Sequence, residues 1–167
     1  MSLWNILRLQ SGPQVMPYSN GLLVVLLLLH LLVDIVLAGR NALAWNHLAA
    51  AGANTLFSAT FVFALLHWAN KAPRFVQTLS ALLAVEIVLG VLAGGLLLVY
   101  PLPGFASLVT LLWLLLMAWN VAVAAHIFRH ALDKNLIWGL GLGLVYFFLA
   151  WQVVTMVLGP EVGGGSP

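Results

Sequence analysis

Cysteine is absent from the 167 residues. That excludes disulfides, thiol nucleophiles and thiolate metal sites, while saying nothing about redox compartment. Charge is almost absent too: six Lys and Arg and four Asp and Glu make up 6% of the chain, for a formal net charge of +2. Basic residues this few and this scattered make no nucleic-acid footprint, so nucleic acid is set aside as a partner. The common catalytic signatures are also missing. There is no glycine-rich phosphate loop, no His-Glu-x-x-His and no Gly-x-Ser-x-Gly elbow. Hydrolysis inside a membrane would need a serine with a base or paired aspartates at depth, and Ser58 has no evident base. The expected class is therefore non-enzymatic.

What the chain does have is apolar surface: 63% of residues are hydrophobic and the mean hydropathy is +1.10, against about 45–50% apolar and about 25% charged in a soluble domain. No water-soluble fold hides that much. The expected architecture is an all-α polytopic membrane helix bundle with about five transmembrane helices, since a span needs roughly 20 residues and the connections are short. Residues 1–20 read as an interfacial segment, apolar at Leu3, Trp4, Ile6, Leu7 and Leu9 with a lone Arg8, and then turn-rich from Pro13 through Pro17. Trp4 is expected at headgroup depth.

Residues 21–158 then carry the five apolar runs, 22–37, 48–68, 75–100, 105–128 and 136–158, and 159–167 read as a flexible tail rich in Gly. In the first run nine leucines at about −0.5 kcal/mol each outweigh Asp34, which costs about 3 kcal/mol at a helix centre and lies off-centre here. A cleavable signal peptide is the rival reading of that run, because Ala42, Leu43 and Ala44 resemble a cleavage site. Its length, its Asp34 and the non-signal residues before it argue against that. No internal repeat is evident, and an odd number of spans excludes a simple two-half duplication of the transporter type.

Cytoplasmic loops hold the excess of Lys and Arg. Arg8, Lys71, Arg74, Arg129 and Lys134 fall on one side of the expected bundle and Arg40 on the other. The N-terminus is therefore expected in the cytoplasm and the C-terminus outside, with a bacterial inner membrane as the home. The short N-terminal segment with Pro13 and Pro17, followed by five closely spaced apolar helices, resembles the Yip1-like membrane proteins. The resemblance is one of layout across most of the chain, and it implies a five-helix bundle that works through partners in the membrane.

Polar residues at depth carry any function such a bundle has. Counting about 1.5 Å per residue from the helix ends places Asp34, Asn54 and Gln152 near the outer side, His30, Glu86 and Asn120 near the middle, and His67 and His126 toward the cytoplasm. His30 and Asp34 are four apart, on one helix face. His30, Asp34, Glu86 and Asn120 are thus a candidate intramembrane polar cluster, readable as a proton or cation relay or as a structural device fixing the bundle's register. His67 and His126, on different helices at similar depth, are candidate axial ligands of a b-type haem. No other cofactor or metal is expected. Gly90 with Gly94 and Gly139 with Gly143 have the Gly-x-x-x-Gly spacing of close helix packing, within the monomer or against a partner. Trp113, Trp119, Trp138 and Trp151 read as packing or interface residues.

Three functions fit this inventory. The leading one is an accessory or assembly subunit that contacts a membrane-protein partner or a second copy of itself in the lipid bilayer. The alternatives are a small transporter or ion-conducting protein using His30, Asp34 and Glu86, and a haem electron carrier using His67 and His126.

Overall fold

Each apolar run becomes one long helix. The computed structural model describes residues 2–39, 44–100 and 102–159. Expectations placed on Arg40, on Ala42 and Leu43 as part of a cleavage site, on Pro101, and on the tail from Pro160 lie outside these residues. A short helix α1 (Ser2–Leu7) precedes α2 (Asn20–Leu37), α3 (Trp45–Trp68), α4 (Phe75–Val99), α5 (Ala106–Leu132) and α6 (Leu136–Leu158). All five of α2 to α6 are long and apolar enough to cross a membrane. Their outer faces expose many leucines and valines, among them Leu28 and Val36 on α2, Leu97 and Leu98 on α4, Leu114 and Leu115 on α5 and Leu144 and Val145 on α6, the surface a lipid-immersed bundle presents.

The long helices alternate in direction and close into a ring. α2 packs on α4, α4 on α5, α5 on α6, α6 on α3, and α3 returns to α2, with α3 also touching α4 across the ring. The two ends differ in chemistry. One end, here the basic end, collects the N-terminal segment with the α3–α4 and α5–α6 loops. The other is where α2, α4 and α6 finish.

At the basic end, α3 and α5 both stop on a left-handed residue, Asn70 (φ 56°) and Asp133 (φ 53°), a conformation these two side chains tolerate well. The next amide folds back in each case, Lys71 N–H to Leu66 O at 2.7 Å and Lys134 N–H to Arg129 O at 2.8 Å. Arg74 donates to the α5 carbonyls of Ala131 (2.8 Å) and His130 (3.3 Å), placing a cation on the negative end of that helix. The result corrects one boundary. α5 runs four residues past Phe128, so Arg129 and His130 are helical rather than part of a loop.

The N-terminal segment is fastened to the bundle. Ile6 is wholly buried, Gln77 donates to the carbonyls of Gln14 (3.1 Å) and Met16 (2.8 Å), and Gln14 donates to His130 O (2.8 Å).

Packing divides the ring into a dry half and a looser half. On α4 the buried residues form a nearly continuous stretch from Val76 to Val85, and on α5 they run from Val123 to Leu132, both at the basic end. Toward the opposite end those two helices bury only Leu89 and Val109. Glycine decides how α6 meets α5. A Cβ at Gly139 would lie 2.5 Å from Ala125 O, and one at Gly143 would lie 3.0 Å from Ala125 N and Val121 O, so the two backbones cross in contact. The Gly90–Gly94 pair meets only side-chain ends, Val33 Cγ1 at 2.9 Å and Leu37 Cδ2 at 3.0 Å. Both pairs therefore pack inside the monomer, but only the second brings backbone against backbone.

Candidate functional site

The polar residues expected at depth converge where the dry half ends. His30 on α2 is 3% exposed, and its Nε2 lies 3.0 Å from Glu86 Oε2 on α4. Its Nδ1 lies 3.0 Å from Thr55 Oγ1 and 3.8 Å from Asp34 Oδ2. Asn54 on α3 donates to Asp34 Oδ2 at 2.8 Å. Tyr146 on α6 donates to Glu86 Oε1 at 2.6 Å, and its hydroxyl also lies 2.6 Å from Ser58 Oγ, which donates to Asn54 O at 3.1 Å. The contacts close on themselves, passing from Glu86 through Tyr146, Ser58, Asn54, Asp34 and His30 back to Glu86. Four helices are joined by side chains that hydrocarbon alone would leave costly and unpaired.

Local sequence explains the convergence. Asn54 and Ser58 are one turn apart on α3, as are His30 and Asp34 on α2, so each pair shares a face. Glu86 is one turn before Gly90, and Tyr146 follows Gly139 at i+7 and Gly143 at i+3 on α6. The glycines draw those faces inward and the polar side chains go with them. A cavity of about 210 Å³ opens beside the network, and every long helix contributes to its wall: His30, Asn54, Glu86, Asn120 and Tyr146 are among the lining side chains. Asn120, the fourth member of the expected cluster, reaches this cavity rather than the hydrogen-bonded loop. Trp113, expected as a packing or interface residue, lines it too.

Other expected residues lie elsewhere. Gln152 is exposed on α6. His67 is exposed and stacks on Phe63, with ring centroids 5.7 Å apart. His126 is 4% exposed, its Nε2 donates to Ser11 O at 3.1 Å, and its ring packs edge-on against His130 at 4.5 Å. The two histidines named as a haem pair therefore sit in separate surroundings, one on the outer surface and one holding the N-terminal segment. Among the described residues no group of three or more His, Asp and Glu side chains is arranged to hold a metal ion.

The sequence reading missed Tyr146, Ser58 and Thr55. Tyr146 carries the clearest signal, because it extends the Gly139–Gly143 face by one turn. The only ion pairs to a Lys or Arg among the described residues are at the basic end, where Asp133 accepts from Lys71 and, at 3.0 Å, from Arg74. Arg74 first and Lys71 second hold its carboxyl down at about 2. Comparison with known proteins finds no matching family model, no matching curated protein and no matching solved structure.

Proposed function

We propose that the protein is a small, non-enzymatic transporter or ion-conducting protein that moves protons, or a small cation in their place, through His30, Asp34 and Glu86. The observation that supports this best is the run of oxygens from Glu86 through Tyr146 and Ser58 to the Asn54 carbonyl. It contains three oxygen–oxygen contacts, of 2.6, 2.6 and 3.1 Å, but only the two hydroxyl protons of Tyr146 and Ser58 to fill them. With a carboxylate at Glu86, Tyr146 donates to it, and Ser58 must choose between Tyr146 and Asn54. With a proton on Glu86, the acid donates to Tyr146, Tyr146 to Ser58 and Ser58 to Asn54, so all three contacts are filled. The two arrangements differ in where hydrogens point, not in where heavy atoms lie. Such a chain takes up and gives back a proton at membrane depth, where ionisable groups are costly and mark pathways.

An accessory or assembly role remains the second reading. It is favoured by a lipid-facing groove of about 760 Å³ between α4 and α5, walled by Leu92, Leu96, Leu112 and Leu115 with Trp4 at its rim, a shape that accepts a helix of a partner or of a second copy. The Yip1-like layout fits either reading and names no transported species. The gathering of Lys71, Arg74, Arg129 and Lys134 at one end supports a cytoplasmic N-terminus in a bacterial inner membrane. Reporters fused after Lys71 and after Pro167 should then report opposite sides, and matching sides would refute that orientation.

The deciding experiment for transport is proton flux into proteoliposomes, driven by a pH step, for the wild type, Glu86→Gln and His30→Ala. Wild-type flux that disappears in Glu86→Gln while the fold is kept supports the proposal. Absence of flux in the wild type, or flux untouched by both substitutions, overturns it.

A further inference from the structure

We infer that the cluster is reached from one side of the membrane only, the side where α2, α4 and α6 end, through a vestibule whose neck is the Asp34–Asn54 hydrogen bond. Its purpose rests on the transport reading; its geometry does not. A second cavity, of about 300 Å³, reaches from Asp34 and Asn54 to His47 and Leu158 at that end of the bundle. It shares Asp34 and Asn54 with the wall of the central cavity, so those two side chains stand between the mouth and His30. Ala38, Ala50 and Ala51 line it, and their small side chains keep it wide. The first carboxylate an entering species meets is Asp34, whose Oδ2 is engaged by the Asn54 amide at 2.8 Å.

At the basic end a separate cavity of about 460 Å³ lies among α3, α5 and α6, but its wall goes no deeper than Leu65 and Leu142 and shares no residue with the central cavity. Leu79, Leu82, Leu83, Val123, Ile127 and Phe128 are each at most 1% exposed, and interiors packed to that degree leave no voids wide enough to pass a hydrated species. Charge gives the same direction a chemical class. Lys71, Arg74, Arg129 and Lys134 lie at the closed end, whereas Asp34 and Glu86 line the central cavity to which the vestibule leads. A route lined by carboxylates concentrates positive species, such as hydronium or a small monovalent cation.

Thiol labelling tests this directly, because the chain has no cysteine and each single-cysteine variant carries one reactive site. The full-length protein is reconstituted as Ala51→Cys (vestibule), Ala93→Cys (central cavity), Ala84→Cys (closed half) and Lys134→Cys (reference for the basic end), and a membrane-impermeant thiol reagent is added from one side at a time. Ala51→Cys and Ala93→Cys should label at least about tenfold faster from the side opposite to the one that labels Lys134→Cys, and Ala84→Cys should label only after denaturation, as expected of a site that opens only by unfolding. Equal labelling of Ala51→Cys and Ala93→Cys from both sides, or none until denaturation, overturns the inference, as does rapid labelling of folded Ala84→Cys. Should Ala51→Cys fail to fold, Ala38→Cys takes its place at the mouth and the same outcomes apply. Labelling needs no flux: sided labelling without flux refutes the transport reading and keeps the vestibule, and flux with unsided labelling does the reverse.

Discussion

Replacing Gly139 by alanine adds one methyl group where the structure has no room for it. The new Cβ would lie 2.5 Å from Ala125 O and 2.8 Å from Arg129 Cβ, and the carbonyl belongs to the backbone of a wholly buried stretch of α5, so it cannot swing aside as a side-chain end would. Overpacking of this kind costs about 1–3 kcal/mol, and a backbone obstacle puts it near the upper limit. Against that stands the gain of about 1 kcal/mol that alanine brings over glycine in a helix interior. The net expectation is destabilisation by about 1–2 kcal/mol. Gly141, two residues away on another face of α6, is the internal control, since nothing lies within 4 Å of a Cβ built there.

Gly141→Ala should keep the propensity gain alone, so the two variants differ by about 2–3 kcal/mol. At about 2–4 °C per kcal/mol for a chain of this size, thermal unfolding in detergent followed by helical circular dichroism should separate their midpoints by about 4–12 °C. Gly94→Ala, facing only the end of Leu37, should fall between them. Equal midpoints for Gly139→Ala and Gly141→Ala would refute the claim that α5 and α6 cross in backbone contact.

Two further outcomes follow from other parts of the molecule. Asp133 titrates at about 2 instead of the ordinary 3.8, and a depressed folded value contributes stability above the ordinary value that is lost as pH falls through the folded one. The melting temperature of the wild type should therefore drop more steeply than that of Asp133→Asn between about pH 4 and pH 2, and parallel curves would remove the role of the Lys71–Asp133–Arg74 contact. Tyr146→Phe strips Glu86 Oε1 of its donor and should cost about 1–3 kcal/mol in the same melting assay. Exposed Tyr100→Phe should change little, and equal effects would deny Tyr146 its place in the network.

Helix number and type were legible because hydrocarbon admits so few alternatives: an apolar run of about 20 residues with satisfied backbone is a helix. The pairing of His30 with Asp34 was legible for the same local reason, a spacing of four on one helix. The contact of His30 with Glu86 was anticipated from estimated depth, and the structure places them 3.0 Å apart. What escaped the sequence depends on rotation of one helix about its axis relative to another. Estimated depth put His67 and His126 in one layer, but depth does not say which way a side chain points, and one faces outward while the other faces the N-terminal segment. Gly90–Gly94 and Gly139–Gly143 are identical as spacings. Only the neighbouring helix decides that one pair meets flexible side-chain ends and the other a backbone. The extension of α5 to Leu132 likewise needed Arg74, a residue distant in sequence, to cap its carbonyls.

The balance of charge inside the ring leads to one more expectation. His30 is the one group there that can carry a positive charge against Asp34 and Glu86, because no Lys or Arg among the described residues lines the central cavity. His30→Leu therefore leaves two acids facing each other across the ring with no cation between them. Glu86→Leu strands less, since His30 keeps Thr55 at 3.0 Å and Asp34 at 3.8 Å, and Tyr146 keeps Ser58 at 2.6 Å. Breaking a buried pair from one side costs about 3–5 kcal/mol, whereas replacing both partners by apolar groups is often neutral.

The ordering expected in detergent melts is that His30→Leu is the least stable, Glu86→Leu is intermediate, and the double variant lies well above the sum of the two losses, with a coupling of about 0.5–3 kcal/mol. Additive losses would show that the 3.0 Å contact carries no energy and that the two residues act independently. A double variant as stable as the wild type would show that the bundle does not need the pair to hold together. Protein and membrane would then bear two costly ionisable groups at depth for what they do rather than for what they hold, and flux measured on that stable double variant would give the cleanest separation of the two roles.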